Sequence, residues 1–292
     1  MYTKTKFVLI FVGILFLLNL LAWQEIFILN SRHFLKVEFL NVGQGDSAFI
    51  LTPGNHQILI DGGPDSTVLE KIAKSMPVWD KEIDLVILSH PERDHMQGVM
   101  DVLQRYKADY ILWSGVKKNT SEYDKWIKVL EKQKNMGAKV IIAKSGQKIK
   151  AGNVLIDTVF PLENVEGKEL KDTSNDEGVV LRLIFGKNSF LFTGDMSSVA
   201  EKELVNSGEN ILSDVLKVAH HGSKYSTSDL FLKNVKPAIA VIEVGKNSYG
   251  HPTQETLQRL DSFGARVLRT DQNGDITIIS NGNDIYINNI AR

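Results

Sequence analysis

The chain has no cysteine. Disulfides, cysteine-rich zinc ribbons, thiol catalysis and lipoprotein-style anchoring are thereby excluded, so any metal must be held by nitrogen and oxygen. An excess of one charge is missing too. Lys and Arg number 34 against 35 Asp and Glu, a net −1, so the whole-molecule field selects no class of partner. No Pro/Gly/Ser-rich stretch interrupts residues 34–292, and neither a 20–50-residue repeat nor a low-complexity tract is present. One domain is therefore expected there. At 43% hydrophobic and 24% charged, its composition is that of a globular protein with a large core.

What charge imbalance exists is local. Val116–Lys150 holds ten Lys and three acids, whereas Glu163–Glu177 holds six acids and two Lys. The basic stretch suggests guidance of a polyanion, with Trp113, Tyr123 and Trp126 as stacking faces. The plainer alternative is a solvated helix face, because Tyr123, Trp126, Ile127 and Leu130 follow helical spacing.

The amino terminus is a different material. Lys4 and Lys6 precede Phe7–Trp23, which carries no charge. Seventeen such residues are the lower limit for a membrane-spanning helix and long for a signal peptide, and no small-residue cleavage site follows. The expected organisation is a transmembrane anchor or signal segment at 1–24, a linker at 25–33 and a catalytic domain at 34–292. With the lysines cytoplasmic, the protein would be single-pass in the cell membrane with an extracytoplasmic domain, or secreted if the segment is cleaved.

Residues 37–60 read as an antiparallel meander. Strands then alternate with helices expected near 96–106, 121–135, 197–206, 228–235 and 253–263, which suggests sheets covered by helices. Five of the seven histidines, His90, His95, His220, His221 and His251, sit in turn-like segments that follow apolar runs. Asp84–Leu88 leads into Ser89-His90-Pro91-Glu92-Arg93-Asp94-His95, where His90, Glu92 and Asp94 alternate and so share a side of an extended loop. Such mixed nitrogen and oxygen donors suit Zn²⁺, Mn²⁺ or Fe²⁺. The bland alternative makes Asp94 a helix cap.

Phe190–Phe192 ends in Thr193-Gly194-Asp195, a carboxylate able to bridge two cations or a plain turn. His220 and His221 leave a strand together, so alternation would aim one at the metals and the other away. His251 could ligate or protonate a leaving group. Asp61 could orient a ligating histidine, and Ser223, Lys224 and Tyr225 could contact an anionic substrate. Ser226 with Asp229 also fits a capping box.

Together, Phe39–Asp46, Leu59–Gly63, Leu88–His95, Phe192–Asp195, Leu216–Lys224 and Gly250–Pro252 resemble the metallo-β-lactamase superfamily. Within it, they are similar to the soluble domain of ComEC-type DNA-uptake proteins. The resemblance covers roughly residues 34–292. It implies an α/β (α+β) fold, the four-layer αββα sandwich, with two divalent ions, Zn or Mn, at one edge. It further implies that His90 binds the first metal, Asp94 and His95 bind the second, and Asp195 bridges them. A histidine from His220/His221, or His251, would complete the set.

Glu92 departs from the pattern, since the superfamily has His there and the ComEC branch usually Asp. The many-span channel of full-length ComEC proteins has no counterpart in the sequence, so a DNA-translocation role does not transfer; a nuclease working beside a separate DNA-uptake channel is the role left open. The expected activity is phosphodiester or single-stranded DNA hydrolysis by a hydroxide held between two cations, with Asp94, Asp195, Lys224 and His251 as catalytic groups. The alternatives are hydrolysis of a phosphocholine ester or lactone, and a tethered binding protein with a decayed metal site.

Overall fold

The computed structural model describes residues 2–31, 33–169 and 176–288. Helix α1 (Tyr2–Ser31) contains the apolar run and continues through most of the expected linker. Strand β1 (Leu35–Phe39) follows, its alternate residues Leu35, Val37 and Phe39 fully buried. It pairs antiparallel with β2 (Ala48–Leu51), and β2 with β3 (Gln57–Ile60), placing Val37 opposite Ile50 and Ile50 opposite Ile58. From β3 onward the pairing turns parallel, through β4 (Glu82–Leu88), β5 (Lys107–Trp113) and β6 (Lys139–Ile142). Parallel neighbours need crossovers, and helices α2 (Thr67–Ser75), α3 (Arg93–Arg105) and α4 (Ser121–Asn135) supply them.

The second sheet repeats this plan. Strands β7 (Lys148–Ala151), β8 (Val154–Phe160), β9 (Val180–Phe185) and β10 (Asn188–Phe192) are antiparallel, while β11 (Val215–Lys217), β12 (Ile239–Ile242) and β13 (Arg266–Arg269) continue parallel to β10. Helices α5 (Ser198–Ser207), α6 (Asp229–Val235) and α7 (Gln254–Ser262) connect them. Strands β14 (Ile276–Ser280) and β15 (Ile285–Asn288) return to β1, giving orders β15-β14-β1-β2-β3-β4-β5-β6 and β13-β12-β11-β10-β9-β8-β7.

Apolar side chains divide into three layers. Val37, Ile50, Ile58 and Ile87 meet Ile156, Leu183, Phe190 and Val241 between the sheets, with the Phe39 and Phe192 rings stacked at 5.8 Å. Leu59 and Val86 face α2–α4, and Leu191 and Leu216 face α5–α7. This is the αββα sandwich.

Three expectations need correction. Tyr123 and Trp126 are buried on the inner face of α4 against Trp113, so none of the three is a stacking face for bases. Packing won there, and truncating a buried Trp costs about 3–5 kcal/mol. Helix α3 begins at Arg93 with Glu92 as its cap residue, so Asp94 is already helical. Ser228, not Ser226, caps α6 by accepting from Phe231 N at 3.3 Å. Helix α2 and edge strands β7 and β15 were not anticipated. Lys148–Ala151 has only Ala151 buried and Ile285–Asn288 has none, too little apolar pattern to read.

Candidate metal centre

Because β3, β4, β10, β11 and β12 run in one direction, their exits gather at one pole, where open α/β sheets place ligands. Asp61 follows β3, Ser89–His95 follows β4, Asp195 follows β10, and His220 and His221 follow β11. The β1–β2 loop adds Asp46. Gly62 and Gly98 let α3 approach the β3 exit, since a Cβ on Gly98 would stand 1.9 Å from Gly62 O. That contact carries Gly62 N to His95 O at 2.8 Å and seats the first turn of α3 on the site.

Asp94, His95, Asp195 and His221 bring ligand atoms within 4.8 Å of one another. His95 Nε2 lies 3.3 Å from Asp195 Oδ1, and His221 Nε2 lies 3.3 Å from Asp94 Oδ2 and 3.7 Å from Asp195 Oδ2. His220 Nε2 is also 3.7 Å from Asp195 Oδ2. The His90 ring centroid is 4.1 Å from that of His95.

Hydrogen bonding fixes which nitrogens can ligate. His95 Nδ1 faces acceptors, Asp61 Oδ2 at 3.0 Å, Asp46 Oδ2 at 3.6 Å and, at 3.5 Å, Ser89 Oγ, whose own proton goes to Asp61, so it carries the proton. His221 Nδ1 likewise faces Glu243 O at 2.8 Å and Asp46 Oδ1 at 3.2 Å. The Ser89 hydroxyl gives its single proton to Asp61 Oδ2 at 2.6 Å, so His90 Nδ1 must donate to Ser89 Oγ at 3.0 Å. In the neutral rings, all three Nε2 atoms would thus present their lone pairs inward. Each is buried and, like Asp195 Oδ1, has no hydrogen-bond partner among the described residues. Buried polar atoms are seldom left so, and three imidazoles with two carboxylates are a donor set for Zn²⁺, Mn²⁺ or Fe²⁺. The residues fit a divalent cation.

Electrostatics agree. Burial pushes the His90 imidazole down to about 3, with His95 adding to the effect. Burial also opposes charge on His221, but Asp195 and Asp46 outweigh it and push the ring up to about 10. His95 is likewise raised, by Asp195, Asp46 and Asp94 against burial. Asp195 is held well below the usual carboxylate range: burial raises it, but His221 and His95 prevail. The pole is rich in negative charge and demands cationic partners.

Two expected residues stand apart from the converging donors. Glu92 lines the mouth of the same cleft, with its carboxylate paired to Lys118. Lys224 rests 5.1 Å over the Tyr225 ring, beside Ser226, Ser228 and Arg259 rather than in the metal cleft. His251 lines the cleft with Gln44, Asp94, His220 and Tyr249. Its ring is 5.5 Å from that of His220, and its buried Nδ1 has no partner among the described residues.

The expected split of His220 and His221 to opposite faces does not occur. Both have positive φ, 50° and 52°, so they form a left-handed turn instead of a strand, and both imidazoles reach Asp195. Each such non-glycine residue costs about 1–2 kcal/mol; strain of this kind collects at functional sites.

Sequence reasoning passed over Asp46, Lys217 and Glu243. Lys217 is buried and pairs with Asp46, and its ammonium donates to Gly194 O at 2.9 Å. Glu243 accepts from Ser47 N at 2.8 Å and is pushed up to about 8 by burial and by Asp46's charge. A lone charge in an apolar run, as in Val215-Leu216-Lys217-Val218 and Ile242-Glu243-Val244, was the available signal.

The fold and this His/Asp cluster together define a class. A model of the metallo-β-lactamase superfamily matches residues 40–245, and the chain belongs to that superfamily. Among curated proteins it is similar to ComE operon protein 3 of Bacillus subtilis, at 33% identity over 261 residues, covering 82% of this chain and 32% of that protein. It is also similar to Competence protein ComA of Neisseria gonorrhoeae, at 30% identity over 242 residues, covering 80% and 30% respectively. The chain therefore spans about a third of the length of these relatives. Among solved structures, the metallo-β-lactamase fold protein YhfI of Bacillus subtilis aligns with TM-score 0.55 at 16% identity, covering 85% of this chain and 99% of that one. The metallo hydrolase Igni18 of Ignicoccus hospitalis aligns at 0.52 and 18%, covering 83% and 98%. At these identities the two structures speak for the fold alone.

Proposed function

We propose that residues 34–292 form a dinuclear metal-dependent phosphodiesterase acting on single-stranded DNA or a related diester outside the cytoplasmic membrane, tethered by residues 1–24. The observation that carries this reading is that the buried, unpartnered Nε2 atoms of His95 and His221 lie 3.3 and 3.7 Å from Asp195, with the His90 ring 4.1 Å from that of His95. Asp94, His95 and His221 would hold one cation, His90 and His220 the other, and Asp195 both. Such a pair supplies Lewis acidity, which lowers the pKa of water toward 7 and offsets charge building on a phosphoryl oxygen.

The chain's own residues do the rest. Asp61 and Ser89 lock the His95 and His90 rings, and Glu243 O and Asp46 lock His221. His251, half-exposed at the mouth beside Tyr249, is placed to give a proton to a leaving oxygen. Lys117 and Lys118 stand in a hollow next to the rim and favour an anionic substrate. The name of the Neisseria gonorrhoeae relative, a competence protein, favours DNA uptake as the setting, with a separate channel as partner.

The test is hydrolysis by the purified chain loaded with Mn²⁺ or Zn²⁺. Single-stranded DNA or a generic diester should be cut, and Asp94→Ala and Asp195→Ala should abolish cutting along with cation binding. A cation-loaded protein inert on every diester but active on a phosphocholine ester or lactone would move the substrate class. Failure to bind any cation would leave a tethered binding protein.

A further inference from the structure

The pole opposite the metal centre carries its own pattern. Ladder partners set its position: Leu35 faces Ser280, Lys36 faces Leu51, Leu51 faces Gln57, and Glu82 faces Lys107. All are strand ends away from Asp61, Ser89 and Asp195. The α2–β4 loop belongs to this pole, because Asp80 Oδ2 accepts from Gln57 Nε2 at 2.6 Å and Ser75 Oγ accepts from Lys36 Nζ at 3.4 Å.

At its tip, Pro77 precedes Val78 and Trp79, which are 84% and 82% exposed, the most exposed large apolar side chains described on the catalytic domain. Lys74 and Lys81 flank them in sequence, and Phe34, 41% exposed, lies just before β1. A tryptophan and a valine held open to water beside lysines are poorly placed for solubility, but they match the aromatic and basic chemistry of a bilayer interface.

The tether supplies the occupant. Lys6–Gln24 is long and apolar enough to cross a membrane, α1 runs seven residues further to Ser31, and β1 starts at Leu35. At 1.5 Å per helical and at most 3.6 Å per extended residue, that pole is confined within about 25 Å of the hydrocarbon.

We propose that Pro77-Val78-Trp79 is a second membrane contact, inserted in the lipid interface so that the domain stands on this pole with the metal cleft turned away from the bilayer. The proposal rests on the anchor reading of residues 1–24. A domain on a flexible leash would tumble; two contacts fix its orientation and present the cleft to a strand arriving from outside.

The absence of cysteine allows a clean experiment. Single-cysteine forms of the full chain, Phe16→Cys, Val78→Cys and Val199→Cys, are labelled with an environment-sensitive dye and reconstituted in phosphatidylcholine/phosphatidylglycerol vesicles with brominated acyl chains. Position 16 lies in α1, and position 199 is an exposed residue at the start of α5, four residues after Asp195. Quenching at 16 and 78 with none at 199 is the expected result. Quenching at 16 but not 78 overturns the loop contact and leaves the anchor standing. Quenching at 199 as well overturns the upright orientation. No quenching at 16 removes the anchor itself and the proposal with it.

Discussion

Two histidines of the candidate centre do the same task by different means. His95 comes from the first half of the chain, on the opening turn of a regular helix, with its Nδ1 on Asp61. His221 comes from the second half, on a left-handed turn, with its Nδ1 between Glu243 O and Asp46. Asp61 is satisfied by neutral donors, Ser89 N at 2.8 Å and Ser89 Oγ at 2.6 Å. Asp46 is satisfied by a buried ammonium, Lys217. One half orients its imidazole with ordinary backbone and a hydroxyl, the other with strain and a buried ion pair, so the second half should be the fragile one.

The largest effect should come from breaking that ion pair. Lys217→Met leaves Asp46 buried without its ammonium partner, held only by the His221 and His95 Nδ1 atoms, a change that costs about 3–5 kcal/mol. Urea denaturation should show this loss, and adding Asp46→Asn should restore much of it, because the carboxylate that needed the lysine is gone. The equivalent cut in the first half, Ser89→Ala, removes a neutral donor and should cost only about 1–3 kcal/mol. Equal losses for the two variants would erase the contrast.

Asp61→Asn sharpens the comparison at the level of metal affinity. Partners of this kind are worth about 10–100-fold, so a metal titration should show a drop in that range with the fold retained. The strained turn offers a smaller effect of opposite sign. His220 is 38% exposed in its side chain, so His220→Gly loses little burial while glycine accepts positive φ freely. Melting should reveal a gain of up to about 1 kcal/mol, alongside weaker cation binding. A loss of stability would mean that the turn is not strained.

The same contrast explains what could be read from the sequence. The first half's site was legible because regular elements obey periodicity: an apolar β4 run, then His90 to His95 at its exit, then a helix. Sheets covered by helices followed from strands alternating with helical segments, and the αββα layering from the family resemblance that the motifs carry. The second half's geometry was not legible. Strand alternation assigned His220 and His221 to opposite faces, and only a left-handed turn, which no side-chain pattern announces, brings both inward. Asp46, Lys217 and Glu243 escaped because each lies in a segment that already had a sufficient reading as turn or strand, and their contacts, Asp46 with Lys217 and Glu243 with Ser47, join residues 171 and 196 positions apart.

Glu92 is the residue on which the comparison depends most delicately. It belongs to the first half, in the position where the superfamily carries a histidine, yet its carboxylate lies on Lys118 at the rim. At 36% side-chain exposure, such a pair is worth about 0–1 kcal/mol, so Glu92→Gln should barely change stability. Cation affinity is the sharper measurement. If the glutamate stays on Lys118, Glu92→Gln binds cations nearly as the parent does, whereas Asp94→Asn, which alters a carboxylate inside the cluster, loses most of its affinity. Equal losses in the two variants would show that Glu92 leaves the lysine when a cation arrives. The well-ordered first half would then contain a moving ligand, and regular backbone would no longer imply a preformed site.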